Sequence, residues 1–206
     1  MQATPSSQPR GTVSRSDHER RVHIHGSGAA SGVAELERLH SQLTARFGDA
    51  RLTIELVPKT SWYSNVRSNV SEADWDRLRR PVYGRARSRC EICGGRGPKH
   101  AVECHEVWQY DDVAGIQRLV DLIALCPSCH GVKHLGRSHL KGRGDDAIEQ
   151  LMRVNGWTAT RAEAYVDLVL DIWKLRSLVP WRLDLDWLAE RGVSVPSDAG
   201  SVERHE

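Results

Sequence analysis

The spacing of apolar residues predicts an amphipathic helix over residues 33–47, followed by an extended segment. One helical face would carry Val33, Leu36, Leu39, Leu43 and Phe47. Residues 52–57 alternate apolar and polar side chains before Pro58, a pattern typical of a half-buried strand or an extended arm. Residues 1–32 show almost no apolar periodicity and are rich in Ser, Gly, Arg and His, so we expect a disordered tail there.

A second helical pattern begins at Ser71, a good N-cap residue that acidic residues follow. Trp75, Leu78 and Val82 recur on one face of this helix, and Pro81 is expected to kink or divide it. Residues 33–87 would thus form an N-terminal helical and extended region whose last helix is basic.

The apolar pattern near the C-terminus predicts a helical subdomain over residues 141–195. Its first helix is expected to end at Asn155-Gly156, a natural stop, and Thr160 opens a capping-box pattern for the next. Residues 196–206 are polar again, and we expect a loose tail.

Charge is distributed unevenly along the chain, although the formal net charge is only +2. Residues 77–99 contain eight Lys and Arg residues and one acid, whereas the chain from residue 144 onward has seven basic and twelve acidic residues. The basic stretch could bind a phosphate backbone or could simply be a solvated helix face. The candidate nucleic-acid contacts are Arg79, Arg80, Arg85, Arg87, Arg137 and Lys141.

Membrane insertion and secretion are not indicated by the apolar pattern. No stretch approaches the roughly 18 consecutive apolar residues of a membrane span, and no apolar signal run stands at the N-terminus. We therefore expect a soluble, cytoplasmic protein. Because thiols stay reduced there and the cysteine count of five is odd, a disulfide framework is not expected.

Four of the cysteines form two Cys-x-x-Cys pairs, Cys90 with Cys93 and Cys126 with Cys129. Each pair can present two thiolates to one side of a tetrahedral zinc ion, so together they predict a closed structural zinc site. Two unrelated reduced cysteine pairs are the alternative. The intervening thirty-two residues exceed what a simple zinc ribbon needs, which suggests that a functional segment lies between the pairs.

That intervening segment and the residues just after it resemble the HNH, or ββα-metal, nuclease family. The matching string is Cys-x-x-Cys, then Glu103-Cys104-His105-Glu106, then Asp121-Leu-Ile-Ala-Leu-Cys-x-x-Cys-His130-x-x-x-His134. The resemblance covers about residues 75–140, and the combined string is far more specific than a lone His-x-x-x-His.

The resemblance implies an α+β fold, in which a small zinc-bound ββα-metal module at residues 88–140 is flanked by helices. In that family a strand carries a metal ligand followed by a histidine base, and a helix after the second cysteine pair carries histidine ligands. It implies His105 as general base, with His130 and His134 holding a catalytic divalent cation: Mg²⁺, Mn²⁺, Ni²⁺ or Zn²⁺. His130 is counted among the catalytic residues for this reason.

Two positions depart from the family pattern. Cys104 stands where the family usually has a His or Asp ligand; it could bind a soft metal or pack as a small hydrophobe, with Glu103 or Glu106 supplying oxygen instead. Asp121 replaces the usual Asn and could orient His105, ligate a hard cation, or act as a cap or turn residue.

The function implied by this resemblance is metal-dependent endonucleolytic cleavage of DNA. A catalytically inactive, zinc-containing nucleic-acid-binding or scaffolding protein is the alternative, as is a toxin that cleaves RNA, because the hydrolytic apparatus does not itself select the sugar.

Overall fold

A computed structural model describes the backbone of residues 15–61 and 66–194, with side chains from residue 31 onward. This part of the chain is a mixed α+β fold of one three-stranded sheet and eight helices. The elements are α1 (Arg15–Phe47), α2 (Val66–Asn69), α3 (Glu72–Arg85), β1 (Glu103–Asp111), β2 (Ile116–Leu125), α4 (Pro127–Lys133), α5 (Leu135–Leu140), α6 (Gly144–Asn155), α7 (Ala159–Arg176), β3 (Arg182–Asp184) and α8 (Asp186–Ala189).

Helix α1 presents the predicted apolar face to the core, where Leu36, Leu39 and Phe47 are buried. It begins well before the apolar pattern does, so residues 15–32 continue the helix where the sequence predicts a disordered tail. Extending a helix costs much less than nucleating one, and the buried part of α1 packs on α7 and can serve as the nucleus. Residues 1–14 and the predicted C-terminal tail at 196–206 lie outside the described residues.

Helix α3 is capped as predicted, since the Ser71 hydroxyl accepts a hydrogen bond from the Asp74 N–H at 3.1 Å. Leu78 and Val82 are buried on its inner face. Pro81 lies inside the helix but does not divide it, because proline's fixed φ is compatible with a helix. Its cost is the missing N–H donor and local crowding.

The sheet has the order β1-β2-β3, with β1 and β2 antiparallel and β3 parallel to β2. His105 is paired with Ile123 and Cys104 with Ala124, and the register shifts between Val107 and Trp108. Because successive side chains in a strand point to opposite faces, His105 and Cys104 lie on opposite sides of the sheet.

The two faces of the sheet belong to two apolar clusters. One cluster joins α1, the cysteine pairs, α6 and α7. The other joins α3, the segment around Leu188, and the face of β2 that carries Leu122. The central module therefore shares its core with both flanking regions. None of the helices in the described ranges has the length and apolarity needed to cross a bilayer.

Residues 52–57 form an extended arm and not a strand. Leu52 and Ile54 are buried, and the Ile54 N–H donates to the Tyr165 hydroxyl at 3.1 Å. The Glu55 N–H donates to the Lys133 carbonyl at 3.0 Å. The arm thus ties the N-terminal region to α4 and α7.

The C-terminal helices follow the predicted pattern with one shift. Helix α6 ends at Asn155, and Gly156 adopts a left-handed conformation with φ 67°, as its position after the helix predicts. Helix α7 is capped by Thr158, whose hydroxyl accepts from the Arg161 N–H, so the helix begins before the predicted cap at Thr160.

Candidate functional site

The four cysteines of the two pairs come together, as their spacing predicts. Their sulfurs all lie within 4.8 Å of one another, with Cys93 and Cys126 Sγ atoms 3.6 Å apart. Cys90, Cys126 and Cys129 are buried. Four converging thiol sulfurs form a donor set suited to a structural zinc ion.

Hydrogen-bond donors surround these sulfurs and would stabilise thiolates. The Gly95 N–H lies 3.4 Å from Cys93 Sγ, and the Gln150 amide donates to Cys129 Sγ at 3.1 Å. A hydrogen bond from the Cys129 thiol lowers the pKa of Cys90, and the same bond raises the pKa of Cys129. Donors aimed at the sulfurs are the outer contacts that metal-binding cysteines use.

The first cysteine turn packs tightly on the second through Gly97. A Cβ atom at Gly97 would lie 2.3 Å from the His100 carbonyl oxygen and 2.5 Å from Pro127 Cδ. Only glycine permits this approach of the two turns, which brings the two cysteine pairs together.

A second cluster contains the three predicted histidines. One nitrogen from each of His105, His130 and His134 lies within 4.8 Å of the others. The His130 and His134 ring centroids are 4.7 Å apart, and that of His105 is 4.9 Å from His134. His105 comes from β1, His130 from α4, and His134 directly follows α4, so sheet and helix together build the cluster.

Two carboxylates contact the histidine cluster from behind. Glu55 Oε2 lies 2.9 Å from His105 Nε2, and Glu103 Oε2 contacts His130 Nδ1. Each of these imidazoles therefore has one nitrogen engaged by a carboxylate. Carboxylates in this position fix ring orientation and tautomer in metal and catalytic sites.

Lys133 completes the buried network around Glu55. The residue is 5% exposed, and its ammonium donates to Glu55 Oε1 at 2.6 Å and to Thr53 Oγ1 at 2.8 Å. Burial opposes ionisation of Glu55, but the hydrogen bond from His105 and the charge of Lys133 prevail and lower its pKa to about 2. Glu55 is therefore a carboxylate acceptor at neutral pH.

The imidazoles of His105 and His134 are held neutral. Burial lowers the pKa of His105, and burial followed by repulsion from His105 and His130 lowers the pKa of His134 to about 3. A neutral imidazole is the form that can ligate a cation or accept a proton.

Cys104 is not among the residues of the histidine cluster, and its packing agrees with the alternative reading of it as a small hydrophobe. Strand alternation turns it away from His105, and it packs with the α3 side of the core. Burial, then the charge of Glu106, raises its pKa to about 12. Glu106, also considered as a ligand, instead accepts a hydrogen bond from the Val66 N–H at 2.7 Å.

Asp121 is also not among the residues of the histidine cluster, and its suggested roles of orienting His105 or ligating a cation stay predictions. It sits beside the register shift of the β1–β2 pair, and its carboxylate lies 3.4 Å from Arg85 and accepts from the Leu122 N–H. The carboxylate that contacts His105 is that of Glu55.

A cleft of about 1040 Å³ opens beside the histidine cluster, with His130 in its wall. Two of the six predicted nucleic-acid contacts, Arg79 and Arg137, line it. The wall combines basic, acidic and aromatic side chains, among them Arg67, Lys99, Glu72, Asp76, Glu103, Trp75 and Tyr83. An opening of this size with positive and aromatic groups suits a nucleotide chain.

The other four predicted contacts lie elsewhere in the described part of the chain. Arg85 pairs with Glu91 and Asp121 and donates to the Leu122 carbonyl, so it holds α3 to the sheet. Arg80 is exposed and pairs with Asp76. Arg87 is exposed in the loop after α3, where its φ is 50°, and Lys141 is exposed after α5.

Sequence reasoning missed Glu55 and Lys133. Glu55 stands fifty residues before His105, and its only signal was a charged residue inside an alternating apolar segment. Lys133 is a buried lysine on α4, one residue from His134, and the sequence pattern did not distinguish it from a surface lysine.

No family model, no curated protein and no solved structure matches this chain. The site is thus characterised by its own geometry, with four sulfurs in one cluster and three imidazoles in another, joined by α4.

Proposed function

We propose that the protein is a metal-dependent endonuclease of the HNH type that hydrolyses phosphodiester bonds in DNA. The observation that carries this proposal is the convergence of three imidazoles beside a cleft whose wall contains Arg79 and Arg137. His105 stands on the first of two antiparallel strands, and His130 stands on the helix that follows them, in the order that the resemblance implies.

The residues present fit a catalytic divalent cation at His130 and His134. Two imidazoles are nitrogen donors that favour Ni²⁺ or Zn²⁺ over Mg²⁺, and the Glu103 carboxylate beside His130 adds negative charge. When bound, such a cation would polarise the phosphoryl oxygen and stabilise the departing 3′ oxygen.

His105 is the general base in this proposal. Its Nε2 is engaged by Glu55, so its free Nδ1 would accept the proton of the attacking water. Arg79 and Arg137 in the cleft wall would hold the phosphates of the substrate strand.

The four-cysteine site would hold a structural zinc ion that fixes the start of α4. Cys129 and His130 are adjacent on that helix, so the sulfur cluster sets where the histidines stand. Its role is to build the hydrolytic site, without direct contact with substrate.

The test is nicking of supercoiled plasmid by the purified full chain with Mg²⁺, Mn²⁺, Ni²⁺ or Zn²⁺. Wild type should produce open-circular DNA, and His105→Ala should lose this activity on the order of 10²-fold or more, the usual contribution of a general base. His139→Ala removes an exposed histidine and serves as the matched control. Absence of nicking with every cation, or equal nicking by His105→Ala, would refute the proposal.

A catalytically inactive nucleic-acid-binding protein is the second candidate, favoured by the positions of Cys104 and Asp121 outside the histidine cluster. It predicts plasmid binding in a mobility-shift assay without nicking under any cation. Parallel incubation with a single-stranded RNA would separate the RNA-cleaving alternative, because that activity degrades the RNA and leaves the plasmid intact.

A further inference from the structure

The histidine cluster is backed by a carboxylate from outside the predicted 88–140 module. Glu55 lies on the extended arm at residues 52–57, and its two oxygens are divided between two partners. Oε2 contacts His105 Nε2 at 2.9 Å, and Oε1 accepts from Lys133 Nζ at 2.6 Å.

The arm that carries Glu55 is anchored through Glu55 itself and through residues just before it. The Leu52 backbone N–H and carbonyl bond the Asn155 side chain at 3.0 and 2.9 Å. The Ile54 N–H bonds Tyr165, and the Glu55 N–H itself bonds the Lys133 carbonyl. The carboxylate is therefore held in position before any substrate binds.

We infer that Glu55 is the positioning residue of the general base, an inference that rests on the proposed nuclease function. A carboxylate only accepts hydrogen bonds, so His105 must carry its single proton on Nε2. The lone pair is then on Nδ1, the nitrogen that Glu55 does not engage, where it can take a proton from water. After the transfer, the imidazolium would lie against the Glu55 carboxylate, which stabilises its charge.

Lys133 makes this arrangement testable, because an ammonium group only donates. In a Glu55→Gln variant the amide oxygen must still face Lys133, which turns the amide N–H₂ toward His105 Nε2. That nitrogen must then accept, so the imidazole proton moves to Nδ1 and the base loses its lone pair. The substitution preserves size while inverting the tautomer.

A purely structural role makes a different prediction. If Glu55 served only to pair Lys133 and hold the arm, Glu55→Gln would affect folding or zinc content before it affected chemistry. Glu149→Gln, at an exposed position of α6, is the matched control for the same chemical change.

The experiment compares wild type, Glu55→Gln, Glu55→Asp and Glu149→Gln as zinc-loaded full chains. We expect Glu55→Gln to lower kcat for plasmid nicking on the order of 10²–10⁴-fold, as wrong-tautomer variants of other histidine bases do, with KM and zinc content unchanged. Glu55→Asp, which can still accept, should recover part of the rate. Glu149→Gln should behave as wild type.

A second readout does not depend on activity. Long-range ¹H–¹⁵N NMR spectra of the histidine rings, assigned with His105→Ala, should show the Nε2–H tautomer of His105 in wild type and the Nδ1–H tautomer in Glu55→Gln.

Equal nicking by Glu55→Gln and wild type would overturn the inference, as would an unchanged tautomer or a rate loss that merely follows lost zinc. If wild type does not nick at all, the proposed function fails, and the tautomer measurement still decides whether Glu55 positions His105.

Discussion

Replacing Asn155 should loosen the arm that reaches the histidine cluster. Asn155 ends α6, and its side chain makes three hydrogen bonds to the arm. Oδ1 accepts from the Arg51 and Leu52 N–H groups at 2.8 and 3.0 Å, and Nδ2 donates to the Leu52 carbonyl at 2.9 Å. Asn155→Ala removes all three at once.

The cost follows from which backbone groups are left without a partner. Leu52 is fully buried, so its N–H and carbonyl would both be left without this partner, whereas water can replace the bond to the exposed Arg51 N–H. An unsatisfied buried polar group costs about 1–3 kcal/mol, so Asn155→Ala should lower the free energy of unfolding by about 2–5 kcal/mol. Asn155→Asp keeps both acceptor bonds, loses one donor, and should lose roughly 1–3 kcal/mol.

Urea unfolding of the zinc-loaded protein, followed by far-UV circular dichroism, measures these differences. Glu149→Ala, on the exposed face of the same helix, should change the free energy by no more than about 0.5 kcal/mol. A loss below about 0.5 kcal/mol for Asn155→Ala would mean that water satisfies Leu52 and that the side chain does not anchor the arm.

Three other predictions test separate parts of the molecule. Burial raises the pKa of Glu106 to about 7 from an ordinary value of 4.5, so the carboxylate costs stability progressively as pH rises through that interval. Glu106→Gln should therefore raise the free energy of unfolding at pH 8 by at most about 3 kcal/mol and leave it nearly unchanged at pH 4; a gain at acid pH instead would contradict this. Arg137→Ala should weaken DNA binding and reduce the slope of log K against log salt by about 1, whereas Arg80→Ala, outside the cleft lining, should not; equal slopes would remove Arg137 from the binding surface. Gly97→Ala places a Cβ 2.3 Å from the His100 oxygen and should speed zinc release to a chelator, while Gly142→Ala, with open space but φ 67°, should affect stability without changing that rate.

The parts that sequence predicts well depend on local chemistry. Ser71 and Gly156 mark helix ends through bonds or φ values set within a few residues. The sulfur and imidazole clusters were predictable because their ligands come in close pairs, Cys126 with Cys129 and His130 with His134, and α4 carries or adjoins both pairs.

The parts that sequence predicts poorly depend on contacts between distant segments. Glu55 reaches His105 because Asn155 and Tyr165 hold the arm in place. Each of these two residues is more than a hundred positions from the arm residue that it bonds. Asp121 was assigned to the site from its place in a string, but its carboxylate pairs with Arg85 beside the shift in strand register. Cys104 lies between these two cases. Its side chain and that of His105 are successive in β1 and therefore point to opposite faces of the sheet, which could be inferred once the strand was known.

Helix α4 has seven residues; it begins just after Cys126 and ends just before His134. Cys129 and His130 are adjacent within it. A chain that has not yet captured zinc would have no fixed start for this helix and hence no assembled base and cation pair. Maturation would therefore proceed in one order, with zinc captured first and hydrolytic competence second. Under the proposed function, the supply of zinc to newly made chains would then limit how many of them become able to cut a nucleic acid.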